Sequence, residues 1–195
     1  QAGAMVGVEK EERVSTQWPR SFRFRHPWLQ LNLLTAFLAA AVVGYFQDTV
    51  DKIVILAMFL PVLAGQSGNT GCQSLAVTLR GMTLGELKPG TMRRLVLKET
   101  LLGFLNGAVV GLVAGTGMFV VARSQGNPDA LTLAGIVVFA MAIACTISGI
   151  SGALIPLTLK KLGADPATAS SIFLTTMTDV ASMSAFLGLA TLLLL

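Results

Sequence analysis

Residues 167–195, at the carboxyl end, constrain the possible folds of this chain more than any other stretch. The stretch is apolar and long enough to cross a bilayer as a helix, and Asp179 is its only charged residue. Insertion scales put an aspartate at the centre of such a helix at roughly 2.5–3.5 kcal/mol unfavourable. Because a residue that costly usually faces a protein interior or a water-filled cavity, the stretch predicts a membrane helix with Asp179 turned away from lipid.

Hydroxyl side chains accompany Asp179 at helical spacing. Thr168, Ser171 and Thr175 precede it and Ser182 follows it, at intervals of three or four residues. These five residues, called the polar stripe below, lie along one side of a helix. The polar stripe indicates one wall of a cation path, which we favour, or a hydrogen-bonded seam in which Asp179 pairs with a neighbouring helix.

The whole chain has the composition of a polytopic membrane protein. Hydrophobic residues make up 53% of its 195 residues and charged residues 12%, too few for a water-facing surface. The net charge of +4 would suit nucleic-acid binding, but the basic residues flank the apolar runs. We therefore expect an all-α fold with five transmembrane helices, a surrounding lipid bilayer and no nucleic-acid partner. The predicted spans are residues 29–46, 53–79, 99–122, 131–159 and 167–195.

The segments outside the spans predict the domain organisation and the orientation. Residues 1–28 are predicted to form a cytoplasmic connecting segment and interfacial anchor. Residues 29–195 are predicted to form a five-helix pore domain, within which residues 80–98 form an interfacial segment. Of the 14 Lys and Arg residues, only Lys52 and Arg123 lie outside the amino-terminal segment and the loops after the second and fourth spans. The positive-inside rule then predicts a cytoplasmic amino terminus and an external carboxyl terminus, in the cell inner (plasma) membrane.

The second span is unusually rich in residues that loosen a helix. Pro61 precedes the segment GQSGNTGCQS, and the fourth span likewise contains Pro156 after several glycines and serines, so both spans are predicted to be bent or interrupted. Carbonyls freed at membrane depth survive only beside protein or a water-filled cavity, although a small-residue face for close packing is an equal alternative. The residues of this span that we expect to line a path are Gly65, Gly68, Asn69 and Gln73.

The third span carries a glycine at every fourth position. Four-residue spacing places these glycines on one helix face, where they let a neighbouring helix approach closely, and we assign them no chemistry. This set, called the glycine ridge below, is Gly103, Gly107, Gly111 and Gly115.

The chemistry available points to a hard cation and not to catalysis. The one histidine, His26, lies at the margin of the first span, and Asp179 is the one aspartate we expect to be buried, so no enzyme is predicted. Cys72 and Cys145 form no C-x-x-C motif, which argues against zinc or copper. Oxygen donors suit Mg²⁺, which dehydrates reluctantly. One carboxylate is little charge for a divalent ion, and a two-fold dimer would bring two copies of Asp179 to a shared axis.

Three segments carry a resemblance to a known family. PVLAGQSGNTGCQSLAVTLRG, LKETLLGFLNG and LIPLTLKKLGADPATASSIFLTTMTDV resemble the transmembrane domain of MgtE magnesium channels, and the resemblance covers residues 28–195. It implies a homodimer of five-helix subunits with the path for the transported Mg²⁺ between them. By the same match Asp179 would be the pore aspartate, the main-chain carbonyl of Thr175 would meet the hydrated ion, and Asp165 would belong to a further metal site near the cytoplasmic mouth.

The resemblance stops at the amino-terminal segment. Family members usually carry a cytosolic magnesium-sensing domain and paired CBS domains, joined to the pore by a connecting helix. Residues 1–28 correspond to the tail of that region at most, so these regulatory domains are expected from the family but are not part of these 195 residues.

Three functions remain open on the sequence. The first is a magnesium channel pore that passes largely hydrated Mg²⁺ at a homodimer interface lined by Asp179. The second is an ion-coupled secondary Mg²⁺ carrier of the same fold, since broken helices suit both. The third is a non-conducting membrane assembly subunit, in which the polar stripe only holds helices together.

Overall fold

A computed structural model describes residues 11–195 of the chain, apart from the side chains of Pro89 and of residues 167–169. The regular secondary structure of this described part is helical, which confirms the predicted all-α fold. Five helices are long and one is short. They are α1 (Trp18–Tyr45), α2 (Gln47–Lys52), α3 (Ile55–Thr83), α4 (Pro89–Ser124), α5 (Ala130–Lys161) and α6 (Pro166–Leu194).

Four of the long helices are long and apolar enough to cross a bilayer: α1, α4, α5 and α6. They correspond to the first, third, fourth and fifth predicted spans. The remaining long helix, α3, has 29 residues and is long enough to span, but its centre consists of polar and small residues. That α3 also crosses the bilayer therefore stays a prediction.

Two long helices begin earlier than the predicted spans. α1 starts at Trp18 and not at residue 29, and α4 starts at Pro89 and not at residue 99. Both have a proline in the first turn, where its fixed φ suits the helix and its missing N–H costs nothing. The predicted boundary at residue 28 therefore falls inside α1. The predicted interfacial segment is divided between the end of α3, a short loop and the start of α4.

The prolines inside the membrane region do not divide their helices. α3 continues through Pro61 and α5 continues through Pro156, so neither is interrupted within its residue range. A bend at either proline stays a prediction.

Three glycines end α3, α4 and α5 with a reversal of the chain. The amide that follows each glycine donates to a carbonyl five residues earlier, as in Glu86 N–H to the Gly81 oxygen at 3.0 Å. This geometry needs a positive φ, which glycine adopts without a steric penalty. The three are Gly85 (φ 70°), Gly126 (φ 71°) and Gly163 (φ 77°). The resulting loops are short, so α4, α5 and α6 follow one another as packed neighbours.

α5 lies at the centre of the bundle. It packs against α3, α4 and α6, and it buries more residues than any other helix for which a buried set is described. Fully buried side chains such as Leu133, Met141 and Phe186 form the core around it. α1 lies outside this core, packs mainly on α6, and buries only Ala39. The most central helix thus sets the positions of α3 and α6, which carry the candidate site.

Candidate functional site

Asp179 lies near the middle of α6 and is half-buried at the surface of the bundle. Among the described residues, its carboxylate accepts no hydrogen bond and forms no ion pair. A carboxylate without a protein partner at the level of the hydrocarbon core needs water, a cation or another chain beside it.

The polar stripe runs from the surface of the subunit into its interior. Thr175 is exposed, Ser171 and Asp179 are half-buried, and Ser182 is fully buried. The Thr175 hydroxyl donates to the Ser171 carbonyl at 2.9 Å, and the Ser182 hydroxyl donates to the Asp179 carbonyl at 3.1 Å. The hydroxyls of Thr175 and Ser182 are therefore satisfied by their own helix. The side chain of Thr168 lies outside the described residues.

Asp165 does not share a site with Asp179 in one subunit. It lies exposed in the loop before α6, whose first residue is Pro166. At 1.5 Å per residue the two aspartates are separated by about 20 Å along the helix. They can serve two separate ion positions but not one.

The predicted lining residues of α3 divide between two sides of the helix. Gly65, Asn69 and Gln73 are exposed, on a face that continues in the exposed Met58 and Val77. Gly68 is half-buried and faces α6, since a methyl group built on it would lie 4.0 Å from the Thr178 hydroxyl oxygen. The structure therefore brings only Gly68 toward α6, and the two amides lie in the middle of a face that no other described element covers.

The contact between α3 and α6 uses residues that the sequence analysis did not select. The Ser67 hydroxyl is fully buried and lies 3.5 Å from the carbonyl oxygen of Thr178, the residue before Asp179. One turn away, a methyl group on Gly71 would lie 3.0 Å from Leu174 and 3.1 Å from Thr178. The sequence does contain a pattern that indicates this contact. Ser67, Gly71 and Ser74 are spaced as the small residues of closely packed membrane helices are.

The glycine ridge faces the backbone of α5. Methyl groups built on its four glycines would each approach a carbonyl oxygen of α5 within 3.0 Å, at Cys145, Met141, Val138 and Ala134 in turn. Such distances are shorter than real methyl contacts, so only glycine permits this approach. On the α5 side of the same interface lies Gly149, where a methyl group would lie 2.5 Å from the Glu99 carbonyl oxygen.

Residues 60–189 match the sequence profile of MgtE, described as a divalent cation transporter. This match covers almost all of α3 and α6, the whole of α4 and α5, and both candidate aspartates. The chain belongs to the MgtE family.

Individual MgtE proteins agree with this assignment. The chain is 37% identical over 188 residues to the magnesium transporter MgtE of Enterococcus faecalis. It is 35% identical over 167 residues to that of Bacillus subtilis and 30% identical over 168 residues to that of Thermus thermophilus. These alignments take in 86–96% of this chain but only 36–40% of the relatives. The names of the relatives describe transport and no catalytic activity.

This MgtE chain has a second carboxylate inside a candidate membrane helix, which the sequence analysis did not select as a functional residue. Glu99 begins the predicted third span, yet it lies ten residues into α4 and is only 6% exposed. Its Oε1 lies 3.0 Å from Nζ of Lys98, whose side chain is 53% exposed. That contact is an ion pair without hydrogen-bond geometry, and Oε1 has no hydrogen-bond partner in the described structure. Glu99 extends the line of the glycine ridge by one helical turn.

The described residues contain no group of three or more His, Cys, Asp or Glu side chains placed to hold a metal ion. A dehydrated divalent ion normally takes six or more oxygen ligands from its surroundings. The described part of one subunit offers no such set of side chains around Asp179.

Proposed function

We propose that this chain forms the pore domain of a magnesium channel, in which two copies enclose a path for Mg²⁺ lined by Asp179. The observation that carries the proposal is the half-buried Asp179 carboxylate, which has no protein partner among the described residues. The interhelical seam would pair this carboxylate within the subunit, so its lack of a partner there favours the path. Membership of the MgtE family and the names of the relatives supply the identity of the ion.

The exposed face of α3 supports a two-fold dimer. Gln66, Asn69 and Gln73 lie on it with their side chains exposed. Facing lipid, three amides would each be costly, because hydrocarbon offers no hydrogen-bond partners. A second copy that covers this face would place the amides beside a shared, hydrated path. The proposal therefore includes α3 as the fifth transmembrane helix.

Mg²⁺ passes this path largely hydrated. Its water is lost reluctantly, so a carboxylate that accepts hydrogen bonds from the water shell is a better partner than a closed cage of ligands. Two copies of Asp179 near a two-fold axis supply two negative charges for a divalent ion. In the helix the Thr175 carbonyl accepts the N–H of Asp179 and, at 2.9 Å, the Thr178 hydroxyl, so a water of the ion that meets this carbonyl has to share it with these two donors. Asp165 serves a further ion position near the cytoplasmic mouth.

The orientation follows from the basic residues. The segment before α1 and the loops after α3 and α5 lie in the cytoplasm of a cell bounded by this inner (plasma) membrane, and the carboxyl terminus lies outside. Residues 11–17 begin the cytoplasmic connection, where Glu12 pairs with Arg25 of α1 at 2.5 Å. In the longer relatives this connection would lead to the cytosolic regulatory domains.

Impermeant thiol reagents should reach cysteines introduced at positions 125–129 in intact cells and those at positions 84–88 only after lysis.

Current recordings on the purified protein in liposomes test the proposed function against its two alternatives. A channel gives discrete unitary Mg²⁺ currents. An ion-coupled carrier gives slow, saturable Mg²⁺ uptake without unitary events. An assembly subunit gives neither, while the protein remains dimeric on size exclusion. Unitary Mg²⁺ currents are the result expected here, and either of the other two results would overturn the channel proposal.

A further inference from the structure

The turn of α6 that precedes Asp179 is held by α3. The Ser67 hydroxyl is fully buried and is within 3.1 Å of the Ala64 carbonyl of its own helix and 3.5 Å of the Thr178 carbonyl of α6. The longer distance is at the limit of a hydrogen bond, so Ser67 bridges the two helices weakly. Any movement of α6 along α3 changes this distance and carries Asp179 with it.

At the same level, Gly71 lets α3 approach both of its neighbours closely. Toward α6, a methyl group on Gly71 would lie 3.0 Å from Leu174 and 3.1 Å from Thr178. Toward α5, the Gly71 carbonyl lies against Gly152, where a methyl group would come within 2.5 Å of that oxygen. α3 is therefore in close contact with α5 and α6 on two sides of a single residue.

The register of α3 on α5 is fixed one turn further along. The Ser74 hydroxyl donates to the Gly149 carbonyl at 2.7 Å, and Ser74 is almost fully buried. Since α3 is fixed on α5 in this way, the contacts of Ser67 and Gly71 transmit that fixed position to α6. The position of Thr178, and of Asp179 after it, is thus set by the contacts of α3 as well as by the direct packing of α5 on α6.

We propose that Ser67 and Gly71 are positioning residues for Asp179, and that they determine which divalent cation the path prefers. This inference rests on the proposed function. Mg²⁺ keeps a near-ideal octahedral water shell, whereas Ca²⁺ accepts longer and more variable oxygen distances. A displacement of the carboxylate by a few tenths of an ångström therefore weakens the hydrogen bonds to the Mg²⁺ shell more than those to Ca²⁺.

The variants Ser67→Ala and Gly71→Ala test the proposal. Ser67→Ala removes the bridging hydroxyl with little change in volume, so the subunit should stay folded. Gly71→Ala forces Leu174 and Thr178 to give way slightly. The measurement is the ratio of Mg²⁺ to Ca²⁺ uptake into proteoliposomes, with the unfolding temperature measured on the same samples. We expect the ratio to fall by about twofold for Ser67→Ala, the lower end of the range for one hydrogen bond, and to fall for Gly71→Ala as well.

Two matched variants control for general effects on packing. Ser148→Ala removes an equally buried hydroxyl of α5 that has no hydrogen-bond partner in the described structure. Gly117→Ala adds a methyl group to an exposed glycine of α4 with open space around it. Both should keep the wild-type ratio. A purely structural role for Ser67 and Gly71 lowers the unfolding temperature without changing the ratio, and that result would overturn the proposal.

The same experiment separates failure of this inference from failure of the proposed function. If the wild-type protein takes up no Mg²⁺, the proposed function fails and the positioning role fails with it. If Asp179→Asn changes the ratio while Ser67→Ala and Gly71→Ala keep it, the positioning role alone is wrong.

Discussion

Small residues form both the α4–α5 interface and the α3–α6 interface. The atoms that lie opposite these small residues differ between the two interfaces. Along the glycine ridge, every glycine faces a backbone carbonyl of α5. At the α3–α6 contact, Gly71 faces the ends of the Leu174 and Thr178 side chains, and Ser67 offers a hydroxyl. Helix backbones cannot yield, whereas side-chain ends can rotate or shift by a few tenths of an ångström.

We expect this difference to separate the residues that stabilise the bundle from those that act in transport. Residues 103–115 of α4 include no side chain with a hydroxyl or a charge, and a methyl group on any glycine of the ridge would lie within 3.0 Å of an α5 carbonyl oxygen. The α3–α6 interface lies directly beside Asp179 and can adjust. We therefore expect substitutions in the first interface to unfold the subunit, and substitutions in the second to alter transport in a subunit that stays folded.

The largest expected effect is at the glycine ridge. Gly107→Leu places a side chain where even a methyl group would lie 2.8 Å from the Met141 carbonyl oxygen. Overpacking of this kind costs roughly 1–3 kcal/mol or more. The unfolding temperature in detergent should fall strongly. Gly117→Leu is the matched control, because that glycine of the same helix is exposed with nothing near it. Equal unfolding temperatures for the two variants would contradict the assigned packing.

A smaller effect is expected at Glu99, one helical turn before the glycine ridge. Lys98→Ala leaves the buried Glu99 carboxylate without its ion-pair partner, which is costly in a low-dielectric interior. Glu99→Gln removes the buried charge and leaves Lys98 able to reach water. We expect about 1 kcal/mol of destabilisation for Lys98→Ala, less than for a fully buried pair because Lys98 is half-exposed.

Chemical unfolding of Lys98→Ala and Glu99→Gln measures which variant loses more stability. The ion preference of uptake is measured on the same two variants. Glu99→Gln should be milder than Lys98→Ala, and both should keep the wild-type preference for Mg²⁺ because they lie in the α4–α5 interface. A changed ion preference in either variant would break the separation between the two interfaces.

The smallest effect is expected outside both interfaces, in residues 11–17. Hydrogen bonding to the Arg25 guanidinium holds the pKa of the Glu12 carboxyl below its ordinary value. A lowered pKa means that the pair contributes above the ordinary pKa of glutamate and is lost as the pH falls through the lowered pKa. Proteolysis of this segment should therefore be faster at acid than at neutral pH in the wild type. In Glu12→Gln it should be equally fast at both, and a retained pH dependence would contradict the pairing.

The sequence predicts those parts of the fold that depend on one helix at a time. Four-residue spacing is enough to find the glycine ridge, and an isolated charge in an apolar run is enough to single out Asp179. Glu99 was missed because, next to Lys98, it resembles the polar end of a span. Its burial arises only from the extension of α4 by ten residues and from the approach of Gly149. Ser67 was missed because its partner, Thr178, lies on another helix, and only the tertiary structure brings the two helices together.

The early starts of α1 and α4 have a different cause. Apolar content marks where a helix enters lipid, but the helix itself begins where a proline and a break in hydrogen bonding allow it. For α1 and α4 these two points are about ten residues apart. Hydropathy therefore predicts the spans better than it predicts the helices that contain them.

Mg²⁺ uptake by Asp179→Asn, measured per folded subunit in proteoliposomes, tests the central claim most directly. The substitution keeps the shape of the side chain and removes up to two negative charges from the path. Asp129→Asn removes the same charge from an exposed loop and serves as the control. The account predicts loss of Mg²⁺ uptake, and loss of the preference for divalent ions in any uptake that remains, at an unchanged unfolding temperature. Wild-type uptake with wild-type ion preference in Asp179→Asn would contradict it.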